Sequence, residues 1–300
     1  MPRPLLPVAA ALVLLLTACS AAQGGAVAAE PSGGGRIRLL TSTSMWAGVA
    51  EAVGGNAVTA TALLAEPGRD PHDYEATPRD QLAALHADVV LTNGGGYDDF
   101  LARLARPVRT ARLLDAVTVS RRTRGPGLNE HLWYDLPTVA RVADALRAAF
   151  TELRPADGVA LKARTARFLS GIRDLEARER RLRPRTAGRA AAITEPVAGY
   201  LLTAAGLRVA TPEAYSASVE QTGEVAPAVL LQQLRLLADR RVVLLAADAD
   251  VSSPTVDRTV QAARAAGIPV LEAREILPPG SGYLPWMRGQ LAVLERAVGR

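Results

Sequence analysis

Asp88-Val89-Val90-Leu91-Thr92-Asn93-Gly94-Gly95-Gly96 reads as a short apolar strand halted by a polar, glycine-rich turn, and it decides the fold. Consecutive apolar residues suit a strand buried on both faces, the habit of parallel sheets covered by helices. Upstream, the alternation runs back through a helix over 77–85, a strand over 58–64 and a helix from Ser44, to a first strand over 36–41. Downstream, residues 121–127 have no period, and Pro137-Thr138-Val139 opens a helix. Residues 155–182 read as one long helix, with Leu161, Phe168, Ile172 and Leu175 on a single face. At ~1.5 Å per residue it is about 40 Å long, enough to run the length of a domain. Pro184 is expected to stop it. Strands over 190–193, 207–209, 242–246 and 269–271 then alternate with helices over 197–206, 227–239, 255–266 and 284–298. The expected architecture is α/β, with two parallel-sheet lobes, 36–154 and 185–300, bridged by a helix over 155–184.

The chain of 300 residues has ample length for a core, and its 49% hydrophobic and 22% charged content is ordinary for a globular protein. The net charge of +5 comes from arginines scattered over helix faces, with Lys162 the single lysine. Aromatics are 4% and no basic run is interleaved with them, so nucleic acid is not an expected partner. The N-terminus carries an address. Met1-Pro2-Arg3 is followed by an apolar run over 5–16, too short to span a bilayer comfortably, which ends in Leu16-Thr17-Ala18-Cys19. This resembles a bacterial lipoprotein signal over 1–19, with Cys19 the lipidated residue. Cys19 is the sole cysteine, so no disulfide is expected within the mature chain. Residues 20–35 read as a flexible tether. The protein is expected to be exported and anchored to the outer face of the cell membrane, as a monomer.

Six places carry candidate chemistry. In Asp70-Pro71-His72-Asp73-Tyr74-Glu75, Pro71 stiffens a loop beyond a strand and presents His72 with little freedom to swing away. Asp73 and Glu75 are candidates to orient it. His131, in Asn129-Glu130-His131-Leu132-Trp133, sits at a loop-to-helix entry, whereas His86 reads as a surface residue at a helix end. Glu195 follows a strand directly and is stiffened by Pro196, and Glu275 lies just past another strand, with Glu272 its near alternative. Asp248 and Asp250 fall after the strand over 242–246 and rank lower, as do Ser216, Ser218 and Glu224, read as a loop bordering the cleft. Ligands of open α/β sheets collect outside the carboxyl ends of strands. Two imidazoles from one lobe and two carboxylates from the other suit a borderline divalent metal, and the absence of thiolate argues against Cu(I).

The Asp-Pro-His-Asp-Tyr-Glu loop with its following Thr77-Pro78, the Ala87 to Gly94 strand, His131-Leu132-Trp133, the long helix and the terminal Gly282-Tyr283-Leu284-Pro285-Trp286-Met287 occur in a telling order. Together they resemble the solute-binding proteins of the zinc/manganese ABC importer family, over residues 37–299. The resemblance implies two α/β lobes bridged by a rigid helix, a metal site in the interlobe cleft, and an ABC permease as partner. It implies His72 and His131 as imidazole ligands and Glu195 and Glu275 as carboxylate ligands of one Zn(II) or Mn(II). Many zinc-binding members have a histidine where this chain has Glu195, and an acidic, histidine-rich loop where it has Arg121-Arg122-Thr123-Arg124-Gly125-Pro126-Gly127. The ligand set is closer to the manganese type, although affinity order alone favours Zn(II).

The implied role is capture and delivery, not catalysis. A metal-dependent hydrolase needs an open coordination position, and four protein ligands leave none on a tetrahedral ion. Neither a His-Glu-x-x-His motif nor a nucleophile elbow is found in the sequence. A siderophore-binding module or an adhesin on the same frame is the remaining alternative, and a siderophore needs an open cleft.

Overall fold

The computed structural model describes residues 35–66, 71, 74–125 and 127–299. The lipoprotein-type signal with Cys19, most of the tether, His72 and Asp73 lie outside the described residues. Residues 36–300 form one compact unit.

Two four-stranded parallel sheets carry the fold. The first joins β1 (Ile37–Thr43), β2 (Val58–Leu64), β3 (Val89–Thr92) and β4 (Arg112–Asp115) in the order β2-β1-β3-β4. The second joins β5 (Ala190–Ile193), β6 (Arg208–Val209), β7 (Leu245–Asp248) and β8 (Val270–Ala273) in the equivalent order β6-β5-β7-β8. The architecture is therefore two parallel-sheet α/β lobes with the same strand order. The strand over 242–246 is corrected. β7 begins three residues later, which puts Asp248 inside the strand and paired with Ala273.

Helices cover the first sheet: α1 (Ser44–Gly54), α2 (Pro78–Leu85), α3 (Asp99–Ala105), α4 (Ala116–Ser120) and α5 (Leu136–Leu153). α1 is buried at nearly every position, as expected of an apolar helix wrapped by neighbours. α2 opens with a capping box in which Thr77 and Asp80 each bond the other's backbone N–H. His86 caps its exposed end.

The long helix α6 runs from Gly158 to Thr186 after a 3-10 turn at Pro155–Asp157. Its expected face of Leu161, Phe168, Ile172 and Leu175 is buried, and it packs against α1 and α5 of the first lobe. Pro184 does not stop it. Proline in the last turn removes a single backbone bond, and Thr186, which donates to carbonyls including Ala205 O at 2.7 Å, pins the end. The second sheet is covered by α7 (Gly199–Ala204), α8 (Glu213–Thr222), α9 (Pro227–Ala238), α10 (Pro254–Ala265) and α11 (Tyr283–Gly299). Ser216 and Ser218 thus lie on a helix rather than in a loop, because Gly223 in the left-handed region ends the helix only after Thr222. One apolar core runs through both lobes, from Leu39 through Phe168 and Ile172 to Ile193 and Leu294.

Candidate metal site

The glycine turn after β3 builds the histidine side. Asp98 accepts the backbone N–H groups of Asn93 and Gly94 at 2.7 and 2.8 Å and holds the turn closed. Gly94 has φ +79°, and a Cβ there would meet Asp115 Oδ2 at 2.2 Å, so the turn requires glycine. Asn93 accepts from the Trp46 indole at 3.1 Å and donates to Glu130 O at 2.9 Å, fixing the loop that carries His131.

Asn129 then sets the imidazole. Its Nδ2 donates to Pro196 O at 2.8 Å, and a carbonyl can only accept, so its Oδ1 faces His131. That oxygen accepts the backbone N–H of His131 at 3.0 Å and lies 2.8 Å from Nδ1. Nδ1 must therefore carry the proton, and in the neutral ring Nε2 keeps its lone pair for a ligand bond. His131 is fully buried, Nε2 has no hydrogen-bond partner, and Glu275 Oε1 lies 3.7 Å from it.

Three adjacent strands supply the carboxylates. Glu195 lies two residues beyond Ile193, and Asp248 two beyond its register partner Ala246. Glu275 lies two beyond Ala273, the partner of Asp248. Glu195, Asp248 and Glu275 each offer an oxygen within 4.8 Å of the others, at exposures of only 6%, 4% and 3%. Two charges at that separation repel by about 3.5 kcal/mol at an effective dielectric of 20. Burial first, and then the charges of Glu275 and Glu195, push the Asp248 carboxyl well above its usual range.

Glu275 is held by both lobes. Asp250 accepts the backbone N–H groups of Glu275 and Ile276 at 2.8 and 3.0 Å and pairs with Arg274 at 3.1 Å. From the first lobe, Tyr97 donates to Glu275 Oε2 at 2.6 Å, Trp133 Nε1 donates to Arg274 O at 3.1 Å, and Ser44 Oγ accepts from Leu277 N at 2.8 Å. Gly48 of α1 lets this segment approach, since a Cβ there would meet Leu277 at 2.7 Å. Burial and the Glu275 charge push the Tyr97 phenol well up, so it stays a donor. For His131, burial lowers the pKa, but the nearby Glu275 carboxylate outweighs this and the net shift is upward.

The structure thus brings together His131, Glu195 and Glu275. Glu272 is 61% exposed and paired with Arg274 away from the cluster. His72 lies outside the described residues; Pro71 is buried, and Tyr74 packs on Phe100 and donates to Asp80 at 2.8 Å. Glu75 is exposed. Asp248 ranks low in the sequence because local patterning starts its strand at 242, three residues before β7 begins. Its signal was its level with Glu195 across β5 and β7. Tyr97 has no such signal, since Glu275 lies 178 residues away, and Asn129, although two residues before His131, is oriented by Pro196 67 residues away. A groove of about 1030 Å³ beside the site is lined by Asn129, Glu130, Pro196 and α8 residues, but not by His131, Glu195, Asp248 or Glu275.

Buried nitrogen and oxygen donors thus meet at the mouth of two parallel sheets on a bilobal α/β frame. Residues 39–297 match the model of the ZnuA family, the periplasmic component A of a zinc-uptake complex, and the chain belongs to that family. The manganese-binding lipoprotein MntA of Bacillus subtilis is 26% identical over 148 residues, covering 47% of this chain and 48% of that protein. The iron-binding protein YfeA of Yersinia pestis is 24% identical over 148 residues, 47% of each chain. The chain spans about half the length of these curated relatives in the match. The periplasmic zinc-binding protein TroA of Treponema pallidum superposes with TM-score 0.73 at 21% identity, covering 89% of this chain and 100% of that one. FpvC of Pseudomonas aeruginosa, solved with Mn2+, gives 0.72 at 20% identity over 88% and 99%. These structures share the fold.

Proposed function

We propose that the protein is an exported, lipid-anchored solute-binding protein that captures one divalent transition metal ion, zinc or manganese, and delivers it to the permease of an ABC importer. The observation that carries this reading is the His131 Nε2, buried without a hydrogen-bond partner 3.7 Å from Glu275, whose carboxylate is gathered with those of Glu195 and Asp248 within 4.8 Å. His72, His131, Glu195 and Glu275 are its ligands, Cys19 its anchor, and the chain acts as a monomer. Family membership and the metal-binding names of its relatives support the same reading. A buried cluster set apart from the large groove favours a single ion over an organic chelate, and a carrier over a catalyst.

The ion is cargo, so the site has to release it. Glu275 is tied to the first lobe, whereas Glu195 follows a strand of the second. Parting the lobes takes Glu195 away from His131 and breaks the Asn129–Pro196 bond. The test is metal content and competitive titration of the full-length protein with Zn(II) and Mn(II). One ion per chain is expected, lost in His72→Ala and in Glu195→Ala. Binding unchanged in either variant removes that ligand, and no ion with either metal overturns the reading.

A further inference from the structure

We infer that Asp248 is a third carboxylate donor of the metal site and biases the site towards Mn(II) over Zn(II). The inference rests on the metal-binding reading above and specifies its selectivity.

Everything around Asp248 except one oxygen is already committed. Its backbone N–H donates to Thr194 Oγ1 at 2.9 Å, and its Oδ1 accepts from Asp250 N at 2.9 Å. Its Oδ2 is buried with no hydrogen-bond partner. A carboxyl that served structure alone would turn its second oxygen to a donor, and Oδ2 has none. A carboxylate would instead need a cation, and the neighbouring Glu195 and Glu275 oxygens within 4.8 Å mark where one fits. That span suits donors around one ion, since oxygens on opposite sides of a metal at about 2.2 Å are about 4.4 Å apart. The unpartnered His131 Nε2 is a second, independent pointer to the same spot, because it comes from the first lobe and a different element.

The selectivity follows from donor type. Zn(II) is satisfied by four ligands in a tetrahedron, and an added carboxylate gains it little. Mn(II) takes oxygen-rich, six-coordinate surroundings, so the added oxygen favours it disproportionately. Asp248 sits on β7, between the strands that lead to Glu195 and Glu275, and so stands beside both.

The experiment is competitive titration of full-length wild type and Asp248→Asn with Mn(II) and Zn(II). Removing groups that only orient ligands costs about 10–100-fold in affinity. Here Mn(II) affinity is expected to fall by about 100-fold and Zn(II) affinity by no more than about 10-fold. Wild-type binding with both affinities unmoved in Asp248→Asn, or both lowered equally, overturns this inference and leaves the importer reading standing. Wild type that takes neither ion overturns both. Should Asp248→Asn fail to fold, a crystal structure of the Mn(II)-loaded wild type decides the matter. An Asp248 oxygen at coordination distance supports the assignment, and one beyond about 3.5 Å overturns it.

Discussion

The two sheets share a strand order and differ in what fills them. In the first lobe β1 and β2 are seven residues long, and Leu39, Leu40, Val89, Val90 and Leu91 are buried. In the second, the strands are four residues or fewer and built on Ala190-Ala191-Ala192 and Ala246-Ala247. Alanine buries far less apolar area than leucine or valine, so the second sheet gains less from each residue it orders. The polar scaffolding follows the same division. His131 is fixed by Asn93, Asn129 and a ring cluster with Trp133 and Tyr97, while Glu195 and Asp248 stand at the ends of thin alanine strands. The imidazole side is thus the fixed jaw, whereas Glu195 and Asp248, unlike the doubly held Glu275, rest on strands that bury little apolar area.

The sharpest way to break that comparison is a matched pair of core truncations. Leu91 and Leu245 are both fully buried on corresponding strands, β3 and β7. Leu91→Ala is expected to cost about 4 kcal/mol and Leu245→Ala about 2 kcal/mol in denaturant unfolding, because alanine neighbours leave a smaller cavity to hold open. Equal costs would mean the two lobes are equally stiff. Next in size, His131→Ala should lower metal affinity by more than about 100-fold in titration, above the range for a residue that only orients a ligand. Asn129→Ala should cost about 10–100-fold, since it releases both the His131 tautomer and the Pro196 tie. No loss there would mean the tautomer is held by something else.

Acid should loosen the fixed jaw in a defined window. The His131 pKa lies above its ordinary 6.5, so metal affinity should begin to fall with decreasing pH while still above 6.5. In the metal-free protein the sign reverses: the pair with Glu275 adds stability that is complete below pH 6.5 and lost as pH rises through the raised pKa. Titrations across pH 5 to 8 that show an onset below 6.5 would contradict the pairing. The smallest effect belongs to α6. Glu179 on α6 is buried, and burial first, then the charges of Glu176 and Asp135, push its carboxyl up to about 8. The folded state therefore holds a proton that the unfolded chain releases, and stability falls as pH rises from about 4.5 to 8. Glu179→Gln should flatten that slope and raise stability by about 1 kcal/mol at pH 8, as read by thermal unfolding. It lines a cavity of about 630 Å³ between α6, α7 and the Asn129 loop, so metal affinity is expected to stay as it was.

Much of this was legible residue by residue. The strands over 58–64 and 190–193 and the buried face of α6 follow from local apolar patterning, which the fold only had to satisfy. The helix end beyond Pro184 did not, because Thr186 bonds to Ala205, nineteen residues away, and no local pattern carries that bond. Residues 97–120 were silent in the sequence, yet they supply Tyr97 and Asp98, one donating to Glu275 and the other closing the glycine turn.

By itself, the sequence determined the alternation of strands and helices, the parallel sheets and the candidacy of His131, Glu195 and Glu275, since each rests on neighbours a few positions away. The tertiary structure alone decided that Glu275 and not Glu272 turns inward, that Asp248 joins it, and that Asn129 sets the imidazole proton. Those outcomes depend on register between strands and on bonds spanning from 25 to 178 residues, such as Asp250 to Glu275 and Tyr97 to Glu275. Burial then gives each contact its weight, because a carboxylate costs little in water and demands a cation only when the fold removes the water.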